Sequence, residues 1–190
     1  NFRYTRSLNL IRDWVQAGRI GTPIFSSAHY YSQSGQSLRA WMRDPAVACG
    51  GVIGDIGIHC LDALRFILQD DVAAVTTIAQ RDARSGAVEA NAAFTLEFTQ
   101  GTIGSVVVSA HSEYRTLVEV VGECGVIRSE NCFSVVGPVD VQVLVSGKVM
   151  DSQQVTNTDA HVRMLDAFSA AIQGQGSYGA TGEDGLKNQR

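Results

Sequence analysis

Absences narrow this chain first. Its four cysteines, Cys49, Cys60, Cys124 and Cys132, form no Cys-x-x-Cys pair and no regular framework, so reduced thiols fit better than a disulfide scaffold or a zinc ribbon. Positive charge is scarce: 15 Lys and Arg against 19 Asp and Glu give a net charge of -4. The basic residues are also scattered, so no phosphate-tracking face is expected and nucleic acid is not an expected partner. No apolar run is read as reaching the roughly 20 residues of a membrane span, and no signal peptide is visible. Neither membrane nor export is therefore expected, and the cytoplasm is the simplest location. No G-x-G-x-x-G follows a strand, which removes the phosphate loop of a dinucleotide-binding fold from this stretch of sequence.

What remains is 190 residues, 45% hydrophobic and 18% charged, enough for one sizeable core. The organising stretch is Gly50-Gly51-Val52-Ile53-Gly54-Asp55-Ile56-Gly57-Ile58-His59-Cys60-Leu61-Asp62, which reads with residues 63–68 as one helix. On a helical wheel Gly50, Gly54, Gly57, Leu61, Leu64 and Leu68 share one side, and Asp55, His59, Asp62 and Phe66 the other. Each interior glycine costs about 0.5–1 kcal/mol relative to alanine, so the glycine side is expected to meet another backbone closely. Asp55 and His59, four residues apart, project together, the arrangement in which a carboxylate orients an imidazole. An Asp acting on the helix dipole beside a packed core His reads equally well from an arbitrary Asp-x-x-x-His.

With Trp41-Met42-Arg43-Asp44-Pro45 upstream, this stretch resembles the W-R-x-D-P … G-G-G-x-x-x-D-x-G-x-H-x-x-D signature of the Gfo/Idh/MocA oxidoreductases, the family of glucose-fructose oxidoreductase and inositol dehydrogenase. Asn1-Phe2-Arg3-Tyr4, Gly18-x-Ile20-Gly21, Phe168-x-x-Ala171-Ile172-x-x-Gly174 and Glu183-Asp184-Gly185 extend the resemblance over nearly the whole chain. It implies an α+β fold: a large, mostly antiparallel open sheet with helices on one face, the C-terminal domain of a two-domain dehydrogenase. Residues 1–190 would then be the substrate-binding and oligomerisation domain. The NAD(P)-binding Rossmann domain is absent from the sequence, as is the family's Glu-Lys-Pro motif with its Lys.

In chain order, residues 7–17 read as an amphipathic helix ended by Gly18, and residues 24–31 as a strand closing on His29, Tyr30 and Tyr31. Polar aromatics there suit a sugar-like ligand, and His29 and Tyr31 are candidate substrate contacts; an ordinary edge strand fits as well. The long loop 32–49 delivers Trp41 and Arg43, which the resemblance places near the cofactor cleft, Trp41 toward cofactor and Arg43 toward substrate. Strands are expected at 72–80, 88–99, 102–111 and 115–122, the second by strict alternation of Val88, Ala90, Ala92, Phe94, Leu96 and Phe98 with Glu89, Asn91, Ala93, Thr95, Glu97 and Thr99. The strand 115–122 is apolar on both sides, so the second sheet face should also be covered, and partner subunits are the expected cover: a homodimer or homotetramer. Short strands at 126–128, 132–136 and 139–145 and a helix at 162–172 complete the reading, with His161 just ahead of that helix a further substrate candidate.

The function implied is the substrate-binding half of an oxidoreductase moving hydride between NAD or NADP and a carbinol carbon of a sugar, inositol or related polyol. His59 is the expected general acid/base and Asp55 its partner or a substrate ligand. No metal ligand set is assigned. Two other classes compete: a non-catalytic sugar- or dinucleotide-sensing protein on the same scaffold, and a metal-dependent lyase or isomerase using His29, Asp55, His59 and His111.

Overall fold

The computed structural model describes residues 2–33, 40–48, 50–81, 83 and 86–189. One eight-stranded sheet runs in the order β2-β3-β4-β1-β5-β6-β7-β8. Its strands are β1 (Pro23–Tyr31), β2 (Val72–Arg81), β3 (Glu89–Phe98), β4 (Ile103–Ser109), β5 (Arg115–Gly122), β6 (Val126–Glu130), β7 (Pro138–Val145) and β8 (Lys148–Thr156). Every neighbouring pair is antiparallel except β1 with β4, which run parallel from Phe25 opposite Ile103 to Tyr31 opposite Ser109.

The helices α1 (Arg6–Gln16) and α3 (Ile58–Leu68) cover one face. Thr5 caps α1 by accepting from the Leu8 N–H, and Gly18, at φ 71°, turns the chain out of it. The core lies where Leu8 and Ile11 of α1 and Cys60, Leu64 and Ile67 of α3 meet Ala28, Val106, Val108, Val118 and Val120 of the sheet, all buried. Each fully buried Leu or Ile contributes about 1.5–3 kcal/mol.

Strand periodicity places β3, β4, β5 and β7 to within a few residues, and the structure differs from the sequence reading in three places, one of them a strand the reading did not contain. First, residues 132–136 are no strand. Asn131 sits at φ 55°, and the carbonyls of Cys132 and Ser134 accept hydrogen bonds from the buried Asn157 amide at 3.2 and 2.8 Å, while Ser7 Oγ also donates to Cys132 at 2.8 Å. With its carbonyls engaged by side chains, the segment is a turn that ties α1 to the end of β8. Second, β8 lacks apolar alternation and is nearly all exposed, so nothing in its residue pattern announces it. Third, the central helix is not uniform. Residues 53–57 (Ile53–Gly57) form a wider π turn that runs into α3, and a separate short helix α2 (Pro45–Ala48) precedes it.

The glycine side of that helix packs only in part: Gly57, Leu64 and Leu68 are buried, whereas Gly54 is not. Ile56, Cys60, Ala63, Leu64 and Ile67 face the core, while Gly54 is exposed and lines, with Ile53, Gly57 and Leu61, an open cleft of about 900 Å³ under β2 and β3. Close backbone approach holds at Gly51, where a Cβ would stand 2.1 Å from the Glu89 carbonyl oxygen, while Gly57 packs more loosely against the Phe94 ring. The stretch Pro45–Leu68, 24 residues, has a span-like length and composition that a reading of short apolar runs understates. Gly50, at φ 130°, and the π turn break it, and Val52, Ile56, Cys60, Leu64 and Ile67 lie in the core under the sheet.

Among the described residues, no helix covers the opposite face of the sheet. Phe25, Ile103 and Ile78 stand exposed on it, and the cover expected for this face is not found among the described residues.

Candidate active site

The N-terminal end of the helix is held from the sheet. Glu89 Oε1 accepts from the N–H groups of Gly51 and Ile53 at 2.7 and 3.1 Å, so a side chain of β3 serves as the cap that no local residue supplies. Ala48, Gly50, Gly51, Gly54 and Asp55 then line a hollow of about 150 Å³ with Trp41, Met42, Glu89 and Ala110. Trp41, 49% exposed on the short turn Ala40–Arg43, thus shares a hollow with Asp55. The side chain of Arg43 lies outside the described residues.

One turn along, His59 enters an aromatic cluster. The Phe2 ring meets the imidazole edge-on with centroids 4.8 Å apart, and meets Phe133 edge-on at 5.1 Å. Phe133 stacks on Tyr30 at 5.6 Å, and Tyr114 closes the cluster edge-on to Tyr30 at 6.3 Å. His59 makes no hydrogen bond among the described residues. Burial lowers its pKa, opposed by the charges of Asp55 and Asp62. Burial likewise pushes the Tyr30 phenol up to about 12, with Tyr114 and the Asp55 carboxylate adding to the effect. Asp55, His59 and Tyr30 therefore form one electrostatic neighbourhood, an exposed carboxylate beside a half-buried neutral imidazole and a protonated phenol.

The residue of β1 that reaches this neighbourhood is Tyr30, which the sequence reading passed over for its neighbours. Ser26, Ala28 and Tyr30 face the helices, so His29 and Tyr31 project from the open face, stacked on one another at 5.7 Å beside Arg115 and Glu119. They are on the other side of the sheet from His59. His161 is exposed in the first turn of α4 (Ala160–Ile172) rather than ahead of it, and is not one of the cluster's rings. A metal site joining His29, Asp55, His59 and His111 fails on the same geometry, and among the described residues no three His, Cys, Asp or Glu side chains are placed to hold a metal ion.

The comparisons with known proteins agree with this architecture. The GFO/IDH/MocA C-terminal domain matches residues 8–128. A 1,5-anhydro-D-fructose reductase of Ensifer adhaerens is 30% identical over 178 residues, 93% of this chain and 53% of the relative, so the chain spans about half the length of that curated relative. Among solved structures, the aldose-aldose oxidoreductase of Caulobacter crescentus, complexed with glycerol, superposes with a TM-score of 0.84 at 23% identity, covering 98% of this chain and 56% of its own. A levoglucosan dehydrogenase in complex with NADH and levoglucosan superposes with a TM-score of 0.80 at 18% identity, covering 98% and 60%. The open sheet, its helical layer and the Gly-Asp-x-Gly-x-His helix thus find their place together: this chain belongs to the GFO/IDH/MocA family, as its C-terminal domain.

Proposed function

We propose that this chain is the substrate-binding half of an oxidoreductase that moves a hydride between NAD or NADP and a carbinol carbon of a sugar, inositol or related polyol. The observation that carries the reading is the placement of Asp55 in the π turn and His59 one turn on, with the imidazole making no hydrogen bond among the described residues and the Tyr30 phenol in the same electrostatic neighbourhood. Relatives named for 1,5-anhydrofructose and levoglucosan chemistry support the substrate class.

The residues present fit the nicotinamide end of the cofactor and no more of it. Trp41 offers a half-exposed ring over the glycine-lined hollow, while the sequence holds no phosphate loop, which falls to a nucleotide-binding domain in the other half of the enzyme. When bound, the nicotinamide supplies or accepts the hydride. His59 takes the hydroxyl proton during oxidation and returns it during reduction, and burial, which lowers its pKa, favours the neutral form that accepts a proton. Asp55, exposed at the mouth of the hollow, accepts a hydrogen bond from a neighbouring substrate hydroxyl. Tyr30 donates to the same sugar from the sheet side, its raised pKa keeping the phenol protonated. The open sheet face, with Phe25, Ile78 and Ile103 exposed, is where copies of the enzyme associate, and the cytoplasm is its setting.

The test is reduced-nicotinamide absorbance with the full-length protein against a panel of sugars, polyols and their acids, beside His59→Ala. Turnover on one substrate that collapses by roughly two to four decades in the variant supports the assignment. Unchanged turnover in the variant removes His59 from the chemistry, and tight nicotinamide binding with no turnover on any substrate replaces the enzyme with a sensing protein.

A further inference from the structure

Asp62, the last carboxylate of the motif, takes no part in the chemistry proposed above, yet it lies on α3 only three residues beyond His59. Its oxygens are already taken. The Arg3 guanidinium grips them as a fork, Nη2 to Oδ1 at 2.6 Å and Nε to Oδ2 at 2.8 Å, and Asn188 Nδ2 donates to Oδ1 at 2.8 Å. Arg3 is held on its other side as well, by the Gly179 carbonyl at 2.9 Å and Asp184 at 3.1 Å. The side chains of Arg3 and Asp62 are 11% and 22% exposed, so this is a shielded clamp rather than a surface pair.

The clamp fixes the turn Phe2–Tyr4, and the neighbour of Arg3 on that turn is Phe2, whose ring stands edge-on to His59 at 75°. An imidazole has a broad, roughly two-fold torsion about its last bond, so what packs against the ring helps set its orientation. Phe2 is that wall, and it is itself braced edge-on by Phe133.

We infer that Asp62 is a positioning residue for His59: by gripping Arg3 it seats Phe2 against the imidazole and sets the direction in which the ring faces substrate. The inference rests on the reading of His59 as the proton-transfer group. In relaying its effect through Arg3 and Phe2, Asp62 stays out of contact with substrate.

The test uses the full-length enzyme with Asp62→Asn, Asp62→Glu and Phe2→Leu, reading kcat, nicotinamide Kd and the ring proton signals of His59, assigned by their loss in His59→Gln. Asp62→Asn and Phe2→Leu should each lower kcat roughly tenfold, leave nicotinamide Kd within about twofold and shift the His59 ring signals, while Asp62→Glu restores most of both. Phe2→Leu leaves the clamp intact and so reads the wall alone, even if Asp62→Asn fails to fold. His59 ring signals that do not move in Phe2→Leu overturn the inference, as does an Asp62→Asn enzyme that loses kcat with those signals in place. The ring signals report the seating of His59 whether or not it transfers protons, so full activity in His59→Ala would remove the functional reading separately from this one.

Discussion

The two halves of the central helix are built for opposite purposes. In the first, the π turn Ile53–Gly57 leaves Asp55 exposed and His59 without a hydrogen bond among the described residues. In the second, every charged group is engaged: Asp62 by Arg3 and Asn188, and Arg65, 6% exposed, by Asp71 at 2.6 Å and by Asn188. Asp71 is tied in turn to Lys187 at 2.8 Å, which brings in α5 (Gly182–Lys187). An anchored half lets a neighbouring half keep polar groups unsatisfied, because the helix transmits position while the free groups keep their capacity for a ligand.

Substitutions should separate the halves. His59→Ala is expected to lower turnover by roughly two to four decades with little change in the thermal midpoint; a large loss of stability would place His59 with the anchors. Gly51→Ala brings a Cβ to 2.1 Å from the Glu89 carbonyl. It should cost about 3 kcal/mol in denaturant unfolding, and a near-neutral result would mean the cap from β3 is slack. Arg65→Met removes a buried cation but leaves the half-exposed Asp71 hydrated, so about 2 kcal/mol is expected by the same measurement, with nicotinamide binding retained. Tyr30→Phe should lower kcat/KM roughly tenfold while His29→Ala, on the far face, changes it less than about twofold; the reverse ranking would refute the assignment of sides.

Acid should loosen the anchored half. Lys187 and then Arg65 hold the Asp71 carboxyl below its ordinary 3.8. For Asp184 burial pushes the other way, but the Thr181 hydrogen bonds and Arg3 together outweigh it and leave the carboxyl below 3.8 as well. Depressed carboxyls contribute stability that is present above the unfolded value near 3.8 and lost as pH falls through the lower folded values. Amide exchange over residues 182–189 should therefore rise below pH 3.8 before that of α3 does, and simultaneous opening would argue against the carboxylates as its cause.

How much of this was legible follows from where each residue's constraints lie. β3 is readable because its alternation is unbroken, and Asp55 and His59 because a helix puts residues four apart on one side. The side of β1 was not, since Ser26, Ser27 and Ala28 are small and mixed in polarity on both sides, and only the pairing with Val120, Glu119 and Val118 decides that Tyr30 faces inward. The π turn hides for a related reason: glycine-rich sequence permits several windings, and the choice is made by Ile56 seeking the core and by Glu89 from another strand. Glu89 as a cap and Asn157 as the organiser of the 131–134 turn act across 38 and 25 residues, beyond any local pattern.

The parallel partnership of β1 with β4 has a kinetic consequence. Both neighbours of β1 come late in the chain, with Phe25 meeting Ile103 on one side and Val121 on the other. During synthesis this strand emerges long before either neighbour exists, so with α1 it waits unpaired until β4 and β5 have been made. Loop closure over that distance precedes the reward of pairing, which makes the middle of the sheet the slow step and leaves the waiting strand exposed to wrong partners. Chaperone dependence in this domain should accordingly follow changes in β1 more closely than changes at the edge strand β8.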